Sequence, residues 1–202
     1  MKRYPKIFLV CIIAEILNLI SAFFFTHFLH IPLFLDTIFT VAVTFYFGLI
    51  PGLLVSLGYN FLSPFCSWAL LGFLDPSKFL FSLCGIAIVI VTWLFSRQEK
   101  EFKISLPITF LYLVLIAMIS SFCSIMIGGV IDYVRFLEYD LPDSVVPIKK
   151  FTEAFLQQDF GLFASCIFAQ IPISFTDRLV STLAGYGVYS LFKKFLGEAK
   201  EW

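Results

Sequence analysis

Runs of about 20 mainly apolar residues, the length of helix that crosses the hydrocarbon of a bilayer, recur along this 202-residue chain. The first covers about 7–28. A short break at His30-Ile31-Pro32-Leu33 separates it from a second run over 34–47, and Gly48-Leu49-Ile50-Pro51-Gly52 separates that from a third over 53–71. Asp75-Pro76-Ser77 is a helix-entry signal ahead of a fourth run over 78–95, and a charged connector at 97–103 precedes a fifth over 104–128. The last run, 172–194, opens on Pro172 and ends at Lys193-Lys194. Gly58, Asn60 and Pro64 interrupt the third run, which predicts a kink or partial unwinding there. Between the fifth and last runs, 129–171 reads as an outer loop. It holds an amphipathic helix and, over 160–171, an apolar piece too short to span, better suited to a re-entrant or interfacial segment.

Composition points the same way. Hydrophobic residues make up 60% of the chain and charged residues only 14%, against roughly 25% charged in a soluble domain. Too few charges remain to cover a water-facing surface. Phe, at 27 copies, partitions well into hydrocarbon and fills gaps between helices. The expected fold class is therefore an all-α integral membrane protein, with about six transmembrane helices in a single membrane domain over 1–202. The basic start Met1-Lys2-Arg3-Tyr4-Pro5-Lys6 resembles a signal peptide, but the apolar run continues past Glu15 and Asn18 without a small-residue cleavage site. It reads as an uncleaved first helix.

Lys and Arg set the expected orientation. With six spans and the N terminus inside, the cytoplasmic segments hold Lys2, Arg3, Lys6, Arg97, Lys100, Lys103, Lys193, Lys194 and Lys200. The opposite face holds Lys78, Arg135, Lys149 and Lys150, and it collects Asp75, Asp132, Glu138, Asp140, Asp143, Glu153 and Asp159. Both termini are expected in the cytoplasm, with the chain in a cell membrane of bacterial cytoplasmic type. No Lys/Arg stripe supports a nucleic-acid partner.

Ionisable groups inside apolar runs are the best pointers to function, because each costs roughly 2.5–3.5 kcal/mol at mid-bilayer. Glu15, Asp177 and Arg178 stand out. Ser174, Asp177 and Ser181 share one helical face, which reads either as the wall of an outward-facing substrate site or as an interhelical pair near an interface. Asn60, Trp68, Asp132 and Arg135 belong to outer-half segments, where an aromatic beside polar groups suits a small organic ligand; Trp68 alone also fits an interfacial belt. Ala14, Asn18 and Ala22 form a stripe of small or polar side chains, either packed within the bundle or offered to another subunit. The stripe of Ser120 or Ser121, Ser124 and Gly128 reads as packing.

Enzyme signatures are absent. There is no HExxH, no P-loop and no GxSxG elbow, and His27 and His30 fall in the first outer loop. The five cysteines have no CxxC spacing and read as small hydrophobes, so no metal, cofactor or catalytic residue is expected.

Two segments carry a family likeness. Phe47-Gly48-Leu49-Ile50-Pro51-Gly52-Leu53-Leu54-Val55-Ser56-Leu57-Gly58-Tyr59-Asn60 is similar to the glycine-spaced helix 2–3 junction of the substrate-binding S components of energy-coupling factor (ECF) transporters. Ile171-Pro172 through Asp177 to Tyr189 resembles the last helix of that family. The resemblance implies a vitamin or other micronutrient bound from outside between helices 4–6 and the outer loops. It also implies a transmembrane T component and two cytoplasmic ATPases as partners. In that family small residues on helix 1, often AxxxA, contact the T component; here the nearest equivalent is Ala14, Asn18 and Ala22. Competing expectations are a membrane sensor or signalling module, a small independent transporter, or an intramembrane enzyme.

Overall fold

The computed structural model describes residues 4–29, 33–72, 76–98, 104–138 and 146–197, and they are helical almost throughout, without a strand among them. Helix α1 (Tyr4–Phe23) continues into a wider π turn, Phe24–Phe28, so the first apolar run is helical to its end. Next come α2 (Ile38–Phe47), α3 (Leu49–Leu71), a 3₁₀ segment (Pro76–Phe81), α4 (Ser82–Ser96), α5 (Leu106–Glu138), α6 (Val146–Leu156) and α7 (Leu162–Leu196). Four helices are long and apolar enough to cross a membrane: Tyr4–Thr26, Leu49–Ala69, Lys78–Ser96 and Leu106–Glu138. That makes the chain a multi-pass membrane protein. α2 is apolar but has only 10 residues, and α7, at 35 residues, carries Gln170, Asp177 and Arg178 along its length.

Side-chain pairs fix the helix directions. Asn18 meets Thr40 and Ser21 meets Leu35, so α1 and α2 run antiparallel. Gly85 packs on Ser56 while Val89 packs on Gly52, and Cys84 approaches the Ser124 carbonyl while Phe95 packs on Tyr112, which sets α4 antiparallel to both α3 and α5. Ser121 reaches Ser174 and Asp132 reaches Gln170, so α7 returns along α5. Phe192, near the end of α7, packs on the Ile7–Cys11–Ala14 cluster of α1, so the two described ends of the chain share one end of the bundle. There Phe45, Tyr46, Tyr186, Tyr189 and Phe192 form a ring cluster with centroids 5.5–6.4 Å apart.

The distribution of polarity is inverted relative to a soluble protein. Phe8, Leu9, Leu111 and Phe122 are exposed, whereas Asn18, Thr40, Thr44, Ser56, Thr92, Ser120 and Ser121 are buried. An apolar exterior over a hydroxyl-rich interior suits hydrocarbon as the surrounding solvent, since small and polar side chains let helices approach and bond to each other.

Several boundaries differ from the sequence expectation. The 129–171 segment is not one loop: α5 runs ten residues past Gly128 to Glu138, and α7 begins at Leu162. Gly128-Gly129 looks like a helix stop, yet these residues let α7 close on α5. A Cβ on Gly129 would lie 3.0 Å from the Cα of Ile167. Pro172 does not open α7 but lies inside it. A mid-helix proline forfeits one backbone bond, and neighbours in a bilayer compensate for that loss. The carbonyl left without its helical donor is that of Phe168; on the far side of the proline the Ser121 hydroxyl donates to Ser174 O at 3.3 Å and Thr176 Oγ1 to Pro172 O at 2.9 Å. α3 likewise passes through Pro64 and begins four residues earlier than expected. The break before α3 is Gly48 alone, at φ 90°, a conformation open to glycine. Pro51 falls in the first turn, where its missing N–H is not needed. α2 starts at Ile38 rather than 34, and the fourth run opens as a 3₁₀ segment before α4. The amphipathic helix is α6, with Ile148 and Thr152 buried and Lys150 and Glu153 exposed.

α2 and α7 meet at Gly185, where an added Cβ would lie 2.8 Å from both the Ile38 carbonyl oxygen and Val41 Cβ. Gly185→Leu should therefore lower stability by about 1–3 kcal/mol through overpacking. Gly187, two residues on, faces open space, and Gly187→Leu should not lower stability and should gain up to about 1 kcal/mol from helix propensity. Thermal unfolding of the detergent-solubilised variants measures both; equal midpoints would refute the close contact.

Candidate functional site

A cavity of about 590 Å³ occupies the end of the bundle opposite the chain termini. Its wall draws on the last turns of α1, the 34–37 segment, the second half of α3, the 3₁₀ segment and first half of α4, the second half of α5, and the first half of α7. The antiparallel path brings these parts to one level. Phe23, Phe24, Phe34 and Phe81 supply apolar surface; Asp36, Lys78, Arg135 and Arg178 supply charge. The volume falls within the roughly 300–1,000 Å³ of small-molecule sites.

Two polar networks hold this wall. In the first, Arg178 forms an ion pair with Asp177 and a second with Asp36 at 3.2 Å, and donates to Thr37 Oγ1 at 2.6 Å. Asp177 Oδ1 accepts from the Leu35 amide at 2.7 Å, and Ser21 donates to the Leu35 carbonyl. Leu35 has φ 44°, a left-handed conformation that a branched side chain rarely adopts, and these bonds hold it there. Asn18 completes the arrangement from α1, accepting from Phe39 N at 3.0 Å and donating to Thr40 at 2.9 Å. The Phe39 amide belongs to the first turn of α2, which has no partner within its own helix. Three chain segments are thereby locked into one corner.

The second network lies across the cavity. Arg135 pairs with Asp132 at 3.1 Å and stacks 5.8 Å over the Phe81 ring. Gln170 donates to the other Asp132 oxygen at 2.5 Å, and Ser174 donates to Gln170 Oε1 at 3.0 Å. Lys78 donates to Ser67 at 2.7 Å. The Ser124 hydroxyl, also in the wall, has no hydrogen-bond partner among the described residues.

The sequence candidates separate into groups. Asn60, Arg135, Ser174 and Arg178 line the cavity. Asp132 and Asp177 stand behind it, bracing the two arginines, and Ser181 is buried deeper along α7. Trp68 is 59% exposed on the outer side of α3 and belongs to no site wall. The α1 stripe packs within the chain. Ala14 and Asn18 are buried within the bundle and Ala22 faces the cavity, because α2 and the 34–37 segment pack over that side of α1. Asp36, Lys78 and Gln170 were missed. Asp36 carried a signal, a carboxylate within the apolar run 34–47; Gln170 was hidden in the segment read as re-entrant.

No protein-family model, no curated protein and no solved structure matches the chain.

Proposed function

We propose that this chain is the substrate-binding membrane subunit of an ECF-type, ATP-driven importer for a vitamin or other micronutrient, and that it has no catalytic activity of its own. The observation carrying the reading is the 590 Å³ cavity, walled by aromatic rings and buried polar groups at one end of the bundle. A site built at one end suits capture from one side of a membrane. On this reading α1–α5 and α7 make six passes, both termini are cytoplasmic, and the cavity faces outward in the bacterial cytoplasmic membrane. The basic residues of the connector after α4 and of the last turn of α7 favour that orientation. Energy comes from a T component and two ATPases. The ligand has a flat apolar body against the phenylalanines and polar edges toward Asn60 and Ser174.

Native mass spectrometry of the purified chain should find a small molecule retained in substoichiometric or full amount. In reconstituted vesicles that molecule should bind but not accumulate until ATPase subunits are supplied. Accumulation by the chain alone would overturn the importer-subunit reading.

A further inference from the structure

Glu15 belongs to neither network. It lies about 16 Å along α1 from Tyr4, near the middle of a hydrocarbon-length helix, and its side chain is half-buried. No hydrogen bond or ion pair satisfies its carboxylate among the described residues. The carboxylate lies over Gly58 of α3, where any side chain would collide with it. Around it is a groove of about 490 Å³ between α1 and α3, distinct from the cavity and meeting it only at Asn60. Phe8, Leu54, Leu57 and Phe61 form its rim, each more than 40% exposed. Acyl chains alone in this groove would leave a carboxylate in hydrocarbon without a partner, an arrangement that membrane helices avoid.

We infer that the α1–α3 groove seats a transmembrane helix of another protein, one that presents a Lys or Arg to Glu15 at mid-membrane depth. Charge complementarity selects this occupant over the others. A lipid headgroup stays at the interface, about 15 Å from the bilayer centre. A bare metal ion needs six or more oxygens if it is hard, and the groove offers Glu15 with only Asn60 and Ser82 beside it. A second copy of this chain has no suitable cation among the described residues. Lys6, Arg97 and Lys193 are at helix ends, and Arg178 is buried. The apolar rim supplies the packing surface on which helix association in lipid depends, and Gly58 gives the Glu15 carboxylate its room. This inference does not depend on what the cavity binds.

The test uses the purified full chain in phosphatidylcholine vesicles with labelled synthetic Leu/Ala transmembrane peptides of about 20 residues. The peptides carry a single central Lys, Leu or Glu, and association is followed by energy transfer within the bilayer. The Lys peptide should associate roughly tenfold more tightly than the Leu peptide, the size of an interhelical polar contact between model helices. Glu15→Gln, which keeps the shape, should erase that difference while leaving small-molecule retention by the cavity unchanged. Glu15→Lys should shift the preference to the Glu peptide. Equal association of all three peptides with the wild-type chain, or a Lys preference that survives Glu15→Gln, would overturn the inference.

Discussion

Arg178→Leu should cost about 3–5 kcal/mol, the loss expected when one partner of a buried ion pair is removed and the other charge is stranded. At about 2–4 °C per kcal/mol for a chain of this size, the unfolding midpoint should fall by roughly 6–20 °C. The cause is local. Arg178 stands between Asp177, which has no exposed side-chain surface, and Asp36, whose side chain is 22% exposed, and it donates to Thr37. Without the guanidinium, two carboxylates face each other across an apolar interior. The double variant Asp177→Asn, Arg178→Leu should regain a large part of the loss. Its asparagine keeps an amide oxygen that accepts from the Leu35 amide, and one stranded charge is gone. Asp177→Asn alone should fall between the two. A single Arg178→Leu variant as stable as the wild type would show that the pair does not hold the 35–37 segment.

Ser124→Phe should abolish small-molecule retention at a folding cost of about 1–3 kcal/mol, because the ring enters a buried position beside Cys84 of α4. Ser124 projects from α5 into the cavity wall and its hydroxyl makes no bond that the substitution would break. A phenyl ring there takes up space that a ligand needs, since small-molecule sites bury most of the ligand surface. A weakening of about a hundredfold or more is expected, equivalent to about 2.8 kcal/mol. Leu115→Phe is the matched control. It lies on the outward side of the same helix, 42% exposed, and should leave retention intact. The retained mass in native spectra reads both. If Ser124→Phe keeps its ligand while the fold is unchanged, the ligand is held elsewhere.

The helical path was legible because hydrocarbon-length apolar runs leave few alternatives, and the buried face of α7 was legible because Ser174, Asp177 and Ser181 repeat with the helix. What each polar residue touches was not. Asp177 looks like a ligand contact in sequence, and only the position of Leu35, 142 residues away, shows that its carboxylate bonds a backbone amide instead. The α1 stripe is legible as a contact face, but whether the contact is internal depends on how α2 packs, which no local pattern specifies. Gly128-Gly129 and Pro172 misled for a shared reason. In water such residues end helices, whereas between tightly packed membrane helices they mark close approach or are carried through by the packing of neighbours. Gln170 then followed Pro172 into the wrong segment, and the second network went unseen.

The 10-residue length of α2 has a consequence for everything above it. At about 1.5 Å per residue it climbs only some 15 Å, half the thickness of the hydrocarbon layer. Its remaining height is covered by the non-helical stretch of chain at 33–37, which is thinner than a helix and leaves a column of unfilled space beside α3 and α7. The cavity opens into that column. Its depth is therefore set by where α2 begins, and a chain with two more helical turns ahead of Ile38 would close it from within, exchanging a hollow bundle for a solid one.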